Sequence, residues 1–575
     1  MRNAPSTLAT RSARSIAFVA AACALVGTAS ADETDGGKRN LNQIDYAMYF
    51  MSDVRDEPGC AMTVEGGRLV TAPPFTNPAM SCPDMFAWKL FTVAVLDRFW
   101  EDWADETQNW PAEPYRLCGA GEEPSAVHCC KPGDPGNDKT HCPVFPGVPL
   151  RALEAPAPRP LRTSIRSHLF GPHEGAGDEG LLIEALTAPV LKSAAERAAM
   201  RPCRELPLPA DPESIGRVIR QTNGELTLRN RTFHDFLFRN DLYNADGVIA
   251  VFDRNAKNLY TNAPYRRASR PAADDKPTDL SEIVFPSDAV MLKSNWLNAE
   301  LMAAIGEQYG WDWEDPAQPY IQKEMVQTLT DQEGNQYDCS GTHNLLAFHI
   351  SSKDIPNWVW ATFEHVRLPG RCDFTGCNDS WGFFSSDRDL PADAARNYLE
   401  PNTKDDDLPQ GADSVVFDRD QLYAAEAIRP PLAAVLDALG IGVEPARADR
   451  PRPGDRAWRS YRLKGTQVEF VDSMGRPTFL GHSVTEAGFV NGSSCMSCHS
   501  RAGSDTDGTF HPGQPGRGTF PLSVFQNELS DFGYGRSAHG IPNKNWFHRS
   551  NQPPSLEVLQ TDFVWGFLFA RPTVK

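Results

Sequence analysis

Beyond its first thirty or so residues the chain has no uninterrupted apolar run of the roughly 18 residues a membrane helix needs. The body is therefore expected to contain no membrane span. It also has no basic stripe: 56 Lys and Arg face 75 Asp and Glu, for a net charge of −19, which argues against nucleic acid as a partner. There is no phosphate-cradling glycine motif, no internal repeat and no nucleophile elbow in a hydrolase context. The acidic stretches Asp405–Leu408 and Asp505–Gly508 lack the spacing of a calcium loop and read as solvated loops. Finally, no methionine follows Met496.

What is present begins with a leader. Arg2, Arg11 and Arg14 precede an apolar stretch over 15–28 and a small-residue site at Ala29–Ala31, the layout of a secretory signal peptide cleaved after about Ala31. Cleavage removes three arginines and leaves a net charge of about −22, an acidity that favours solubility. Export into an oxidising compartment, the periplasm in a bacterium, gives the cysteines a meaning.

Twelve cysteines follow the leader: Cys60, Cys82, Cys118, Cys129, Cys130, Cys142, Cys203, Cys339, Cys372, Cys377, Cys495 and Cys498. Setting the last two aside leaves ten, enough for five disulfides whose connectivity spacing does not decide. Cys372 and Cys377 are close enough to close a small local loop. The stretch Cys118–Cys142, rich in Gly and Pro, reads as a disulfide-tied excursion. Its His128, Cys129, Cys130, His141 and Cys142 also offer zinc ligands, although their spacing fits no standard zinc module.

Cys495, Cys498 and His499 stand in the order C-x-x-C-H within "SSCMSCHSRAG". That spacing is the attachment sequence of c-type haem: the two thiols add across the haem vinyl groups, and the adjacent histidine takes the iron as proximal ligand. A thioredoxin-type C-x-x-C wants a strand before it and a helix after it, whereas here the flanks are loop-like. One haem c is therefore the expected cofactor, with Cys495 and Cys498 as its covalent anchors and His499 on the iron.

Together with "YRLKGTQVEFVDSMGRPTFLGHSVTEAGFV" (461–490), "NWVWATFEHV" (357–366) and "FAWKLF…NWPAEP" (86–114), this motif resembles a group of large bacterial exported cytochrome c family proteins. The resemblance covers most of the chain after the leader in scattered blocks, and the cysteine-rich excursion is not part of it. It implies a single covalent haem in a large periplasmic protein and no settled substrate.

A small cytochrome c draws its sixth iron ligand from a methionine downstream of the motif, which this chain lacks. The other candidates are His511, His539 and His548 after the motif, and Met474, His482, His349 and His365 before it. His349 and His365 rank first because their strand-like runs include the matching blocks. An open sixth site is the other option, and it would allow chemistry on a small ligand.

Along the chain, 84–104 reads as an amphipathic helix with an aromatic face, and 180–200, 298–309 and 421–439 as helices, the last interrupted at Pro430-Pro431. "DGVIAVFD" (246–253), 289–297, "NLLAFHISS" and "WVWATFEHV" read as strands, and 456–484 as a hairpin turning at "SMGRP". Expected regions are a signal peptide at 1–31, an N-terminal region at 32–170, a central α+β region at 171–455, and a haem-bearing region at 456–575 that is too short to cover a haem by itself. The fold expected is α+β and loop-rich, with a substantial, largely antiparallel sheet, several helices and the haem segment docked on it. The function expected is electron transfer with a redox partner protein or a small donor or acceptor, or, alternatively, peroxidase- or oxidase-like catalysis at an open distal site.

Overall fold

Alternation of apolar and polar residues along five strands produces a sheet with two unlike faces, and the rest of the fold is arranged around it. The computed structural model describes residues 56–57, 59–73, 77–146, 194–210, 215–257, 280–331, 333–368, 379–383, 427–447, 451–471, 478–486, 493–504, 547–549, 555–556 and 558–574. In chain order the elements used below are α1 (Pro83–Leu96), β1 (Gly224–Arg229), α2 (Ala245–Lys257), β2 (Val290–Asn298), α3 (Ala299–Tyr309), β3 (Gln322–Met325), β4 (Gly341–Ser352), β5 (Val359–His365), α4 (Pro430–Ala438), β6 (Tyr461–Gln467) and α5 (Cys495–His499). The sheet runs β6-β5-β4-β2-β1, with β3 also paired to β4. Every pairing in it is antiparallel. The architecture is α+β, as the sequence leads one to expect.

One face carries Leu226, Leu228, Leu292, Phe348, Ile350, Ala361, Phe363, Tyr461 and Leu463, all buried against Met85, Trp88, Phe91 and Val95 of α1. The aromatic stripe of α1 is thus core. Trp88 meets Phe363 edge-on at 5.1 Å, and Phe348 stacks on Phe363 at 5.1 Å. Each such ring contributes through its large apolar area and through pair geometry. Pro83 at the first turn of α1 lacks the amide that would otherwise want a partner there, and Asp56 accepts the amides of Asp84 and Met85.

Four disulfides close among the described residues: Cys60–Cys82, Cys118–Cys129, Cys130–Cys142 and Cys203–Cys339. The excursion at 118–142 is disulfide-tied, which overturns zinc as the use of Cys129, Cys130 and Cys142. Cys372 and Cys377 lie outside the described residues, as does the leader. Among the described residues no helix is long and apolar enough to cross a membrane.

Three sequence expectations need correction. "DGVIAVFD" lies in α2, not in a strand: Val248, Val251 and Phe252 recur at helical spacing and are all buried, and the Asn244 side chain accepts the Gly247 amide at the start. Pro430 begins α4 instead of interrupting a longer helix, since proline is suited to a first turn. Among the described residues the hairpin over 456–484 keeps one strand, β6, and a return contact in which the Thr478 amide donates to the Phe470 carbonyl at 3.1 Å. Arg456–Ser460 is a 3₁₀ turn, and His482–Glu486 closes into a self-capped turn in which the Glu486 carboxylate accepts the His482 amide at 2.8 Å. Its expected tip at 473–477 lies outside the described residues, as does most of the helix expected over 180–200, of which Ala194–Arg197 is seen.

Candidate functional site

The second face of the sheet is polar, yet it too is buried. Register puts Lys293, His349 and Thr362 in one row across β2, β4 and β5. Glu364 lies opposite Arg462, and Trp360 opposite Gln467. Lys464 follows Arg462 on the same face by the two-residue period of a strand. Glu364, Arg462 and Lys464 have no solvent exposure; Arg462 reaches Glu364 at 2.9 Å, and Lys464 Nζ stands 3.8 Å from the same carboxylate. The Ser483 amide donates to Glu364 Oε1 at 2.6 Å. Burial draws the Lys464 ammonium down to about 8, and Glu364 opposes that shift.

Over this face lies the C-x-x-C-H segment. Ser494 caps α5 through its side chain, and one helical turn brings Cys495, Cys498 and His499 to the same side at spacings of three and four. Met496 and Ser497 turn inward and are buried. Gln467, at the end of β6, clamps the turn: its carbonyl accepts the Met496 amide at 3.0 Å, and its amide donates to Ser494 Oγ at 2.9 Å. Trp360 packs against the His499 ring with centroids 4.4 Å apart. The Cys495 thiol donates to the Leu480 carbonyl at 3.6 Å.

Neither motif cysteine is in a disulfide, whereas every other described cysteine is. Burial pushes the Cys495 thiol well above its ordinary value, so it is neutral. His499 donates from Nδ1 to the Phe563 carbonyl at 2.8 Å. Burial holds its pKa down to about 3, so the ring is neutral and Nε2 carries a lone pair. The Phe563 carbonyl is itself held in place. Asp562 and Phe563 both take left-handed backbone angles, φ 49° and 68°, costly for residues with a side chain. Asp562 is tied to Lys353 at 2.5 Å and accepts the Phe285 amide at 2.7 Å.

Cys495, Cys498 and His499 keep accessible surface although protein surrounds them and their neighbours Met496, Ser497 and Ser500 are buried. They therefore line a recess. Lys293, His349 and Glu486 lie near enough to act electrostatically on the motif. Their side chains are 28%, 11% and 10% exposed, so they too border on solvent-accessible space.

The structure thus brings His349 and His482 to the motif and leaves His365 away from it. His365 points to the apolar face, stacks on Tyr320 at 3.6 Å, and has both ring nitrogens engaged, with the Pro319 carbonyl and the Arg367 amide. Met474, His511, His539 and the side chain of His548 lie outside the described residues. Sequence reasoning missed Glu486, Lys293, Glu364, Arg462 and Lys464. The strand residues among them had one signal, alternation: Trp360, Thr362 and Glu364 fall on one side of an otherwise apolar strand, a pattern normally read as a solvated face.

Comparison with protein-family models, with characterised proteins and with solved structures finds no match for this chain.

Proposed function

We propose that this chain is an exported c-type cytochrome with one haem, held by thioethers at Cys495 and Cys498 and by His499 on the iron, and that it transfers electrons with a redox partner in the periplasm. The observation that carries the reading is the state of the motif: two cysteines outside any disulfide on one helical turn beside a histidine whose Nδ1 is tied to a backbone carbonyl. A metal-binding histidine ordinarily has its second nitrogen fixed in this way, which sets the tautomer and leaves Nε2 for the metal. The donor set and the recess suit the group. A haem bound there supplies one-electron exchange at iron. The chain's own part is to orient His499 through Phe563 and Trp360, to keep bulk water off the motif, and to set the local field through Lys293, Glu486 and the buried cluster behind them.

Cys498→Ala is expected to abolish double thioether attachment, read as a shifted pyridine haemochrome spectrum and loss of haem on denaturation. An unchanged spectrum would sink the assignment.

A second reading rests on a different observation. Glu486, Lys293 and His349 border the recess, and acid–base groups at that position suit a haem enzyme acting on a small ligand such as peroxide. Carbon monoxide added to the reduced protein separates the two: ready binding favours the enzyme, and no binding favours the electron carrier.

A further inference from the structure

His349, His482 and Glu486 place their donor atoms within 4.8 Å of one another beside the motif, a grouping that by distance alone suits a metal ion. The hydrogen bonds argue otherwise for one member. His482 Nδ1 accepts the amides of Val484 at 3.1 Å and Thr485 at 3.0 Å. Its lone pair is occupied there, so in the neutral ring Nε2 carries the proton and cannot ligate. His482 instead stacks on His349 with centroids 4.1 Å apart and a 10° tilt, which fixes the plane of that ring.

His349 is differently placed. Its Nδ1 lies 2.9 Å from Thr362 Oγ1, while Nε2 is buried, makes no hydrogen bond, and stands 3.3 Å from Glu486 Oε1. One nitrogen is held by a hydroxyl that can accept its proton, which lets the other act as a lone-pair donor once a metal takes the place of the Glu486 contact. His343 and His365 do not offer it. Both nitrogens of His343 are engaged, with the Gly341 carbonyl and Gln327. Those of His365 are engaged on the far face. His234 does, with Nδ1 3.4 Å from Asp235 Oδ1 and Nε2 unbonded, but its ring packs against Phe145 and Phe238 and its charged neighbours are Asp235 and Arg231, not the motif. Of the remaining nitrogen donors at the recess, Lys293 is paired with Glu225 at 3.2 Å.

We infer that His349 Nε2 is the second axial ligand of the haem proposed above, with Thr362 as the positioning residue for its ring and Glu486 as the group that faces the same nitrogen when no iron is bound. The inference rests on the haem reading. It predicts a six-coordinate, low-spin iron with two imidazoles, and a lower reduction potential than methionine ligation would confer.

The test compares the exported wild-type holoprotein with His349→Ala, His349→Met and His365→Ala, after the covalent haem in each has been counted by pyridine haemochrome. Wild type is expected to be low-spin in both oxidation states, with the near-infrared magnetic circular dichroism band of bis-imidazole ligation and no carbon monoxide uptake. His349→Ala should lose the low-spin signature and bind carbon monoxide, and added free imidazole should restore the original spectrum. His365→Ala should match wild type. A high-spin wild type, or one with an amine or thioether ligand, overturns the inference. So does a His349→Ala protein that keeps the bis-imidazole band. If the alanine variant does not fold, His349→Met decides: a thioether-to-iron charge-transfer band supports the assignment, and an unaltered bis-imidazole band overturns it. A wild-type protein with no covalent haem overturns the haem reading itself, a separate result.

Discussion

The two faces of the central sheet are built from the same strands and are both largely buried, but by opposite means. Phe363 and Glu364 are neighbours on β5. The first enters a cluster of rings formed by Trp88, Phe91 and Phe348; the second enters a cluster of charges formed by Arg462 and Lys464. On the ring side burial is favourable in itself, at roughly 25 cal/mol per Å² of apolar surface. On the charge side each ion loses its hydration, which costs several kcal/mol per ion and is offset only where partners and hydrogen bonds are well placed. A sheet built for stability alone would have two apolar faces. The polar face is therefore best understood as the floor of a site, where fixed charges beside Cys495 and His499 are useful in proportion to how little water screens them.

The sharpest way to break this comparison is to neutralise the carboxylate at its centre. Glu364→Gln leaves Arg462 and Lys464 buried without their counter-charge and is expected to destabilise the fold by about 3–5 kcal/mol in urea unfolding. A loss below about 1 kcal/mol would show that water reaches the cluster and that the face is not truly closed.

The apolar side has one charged point of its own, and it gives the second prediction. Asp379 accepts Trp88 Nε1 at 3.2 Å and the amides of Trp381, Gly382 and Phe383, and it faces Asp84. Burial first, and Asp84 second, raise its pKa from 3.8 to about 7. A carboxyl with a raised folded-state pKa stabilises the fold most below its ordinary value. That contribution is lost as pH climbs through the folded-state value. Stability should therefore fall between about pH 4 and pH 7, by at most about 1.4 kcal/mol per pH unit for this one proton. Asp379→Asn should flatten that slope relative to wild type, and parallel slopes would refute the assignment. Asp56, whose carboxyl is also raised by burial and by Asp84, adds to the same trend.

The smallest effect belongs to Phe363→Leu, one position from Glu364. An apolar exchange in a ring-lined core is expected to cost less than about 1.5 kcal/mol, with the spectrum of the haem proposed above unchanged. A spectral shift as large as that of a substitution on the other face would mean that the two sides are not independent.

Much of the apolar half was legible beforehand. β2, β4 and β5 and the helices α1 and α3 follow from periodicity and from β-branched and aromatic content. "DGVIAVFD" was misjudged because a short apolar run satisfies both periods, and only the burial of Val248, Val251 and Phe252 on one side settles it. The polar half was largely illegible. Glu364, Arg462 and Lys464 look like solvent-facing positions because alternation records which residues share a side, and says nothing about what later covers that side. Glu486 had no signal at all: it matters because the turn His482–Glu486 folds across the sheet to meet His349, more than a hundred residues away in sequence.

By itself the sequence determined the covalent chemistry on offer. C-x-x-C-H is a local spacing, and one turn of chain suffices to align Cys495, Cys498 and His499. Only the tertiary structure decided the surroundings: which cysteines stay out of disulfides, which carbonyl fixes His499, and which of the candidate histidines lies near the motif. His349 and His365 sit in similar apolar runs, and the parity of a strand sends one to the recess and the other to the core. That outcome depends on which side of the sheet the distant 493–504 segment covers, a question of packing between remote parts of the chain.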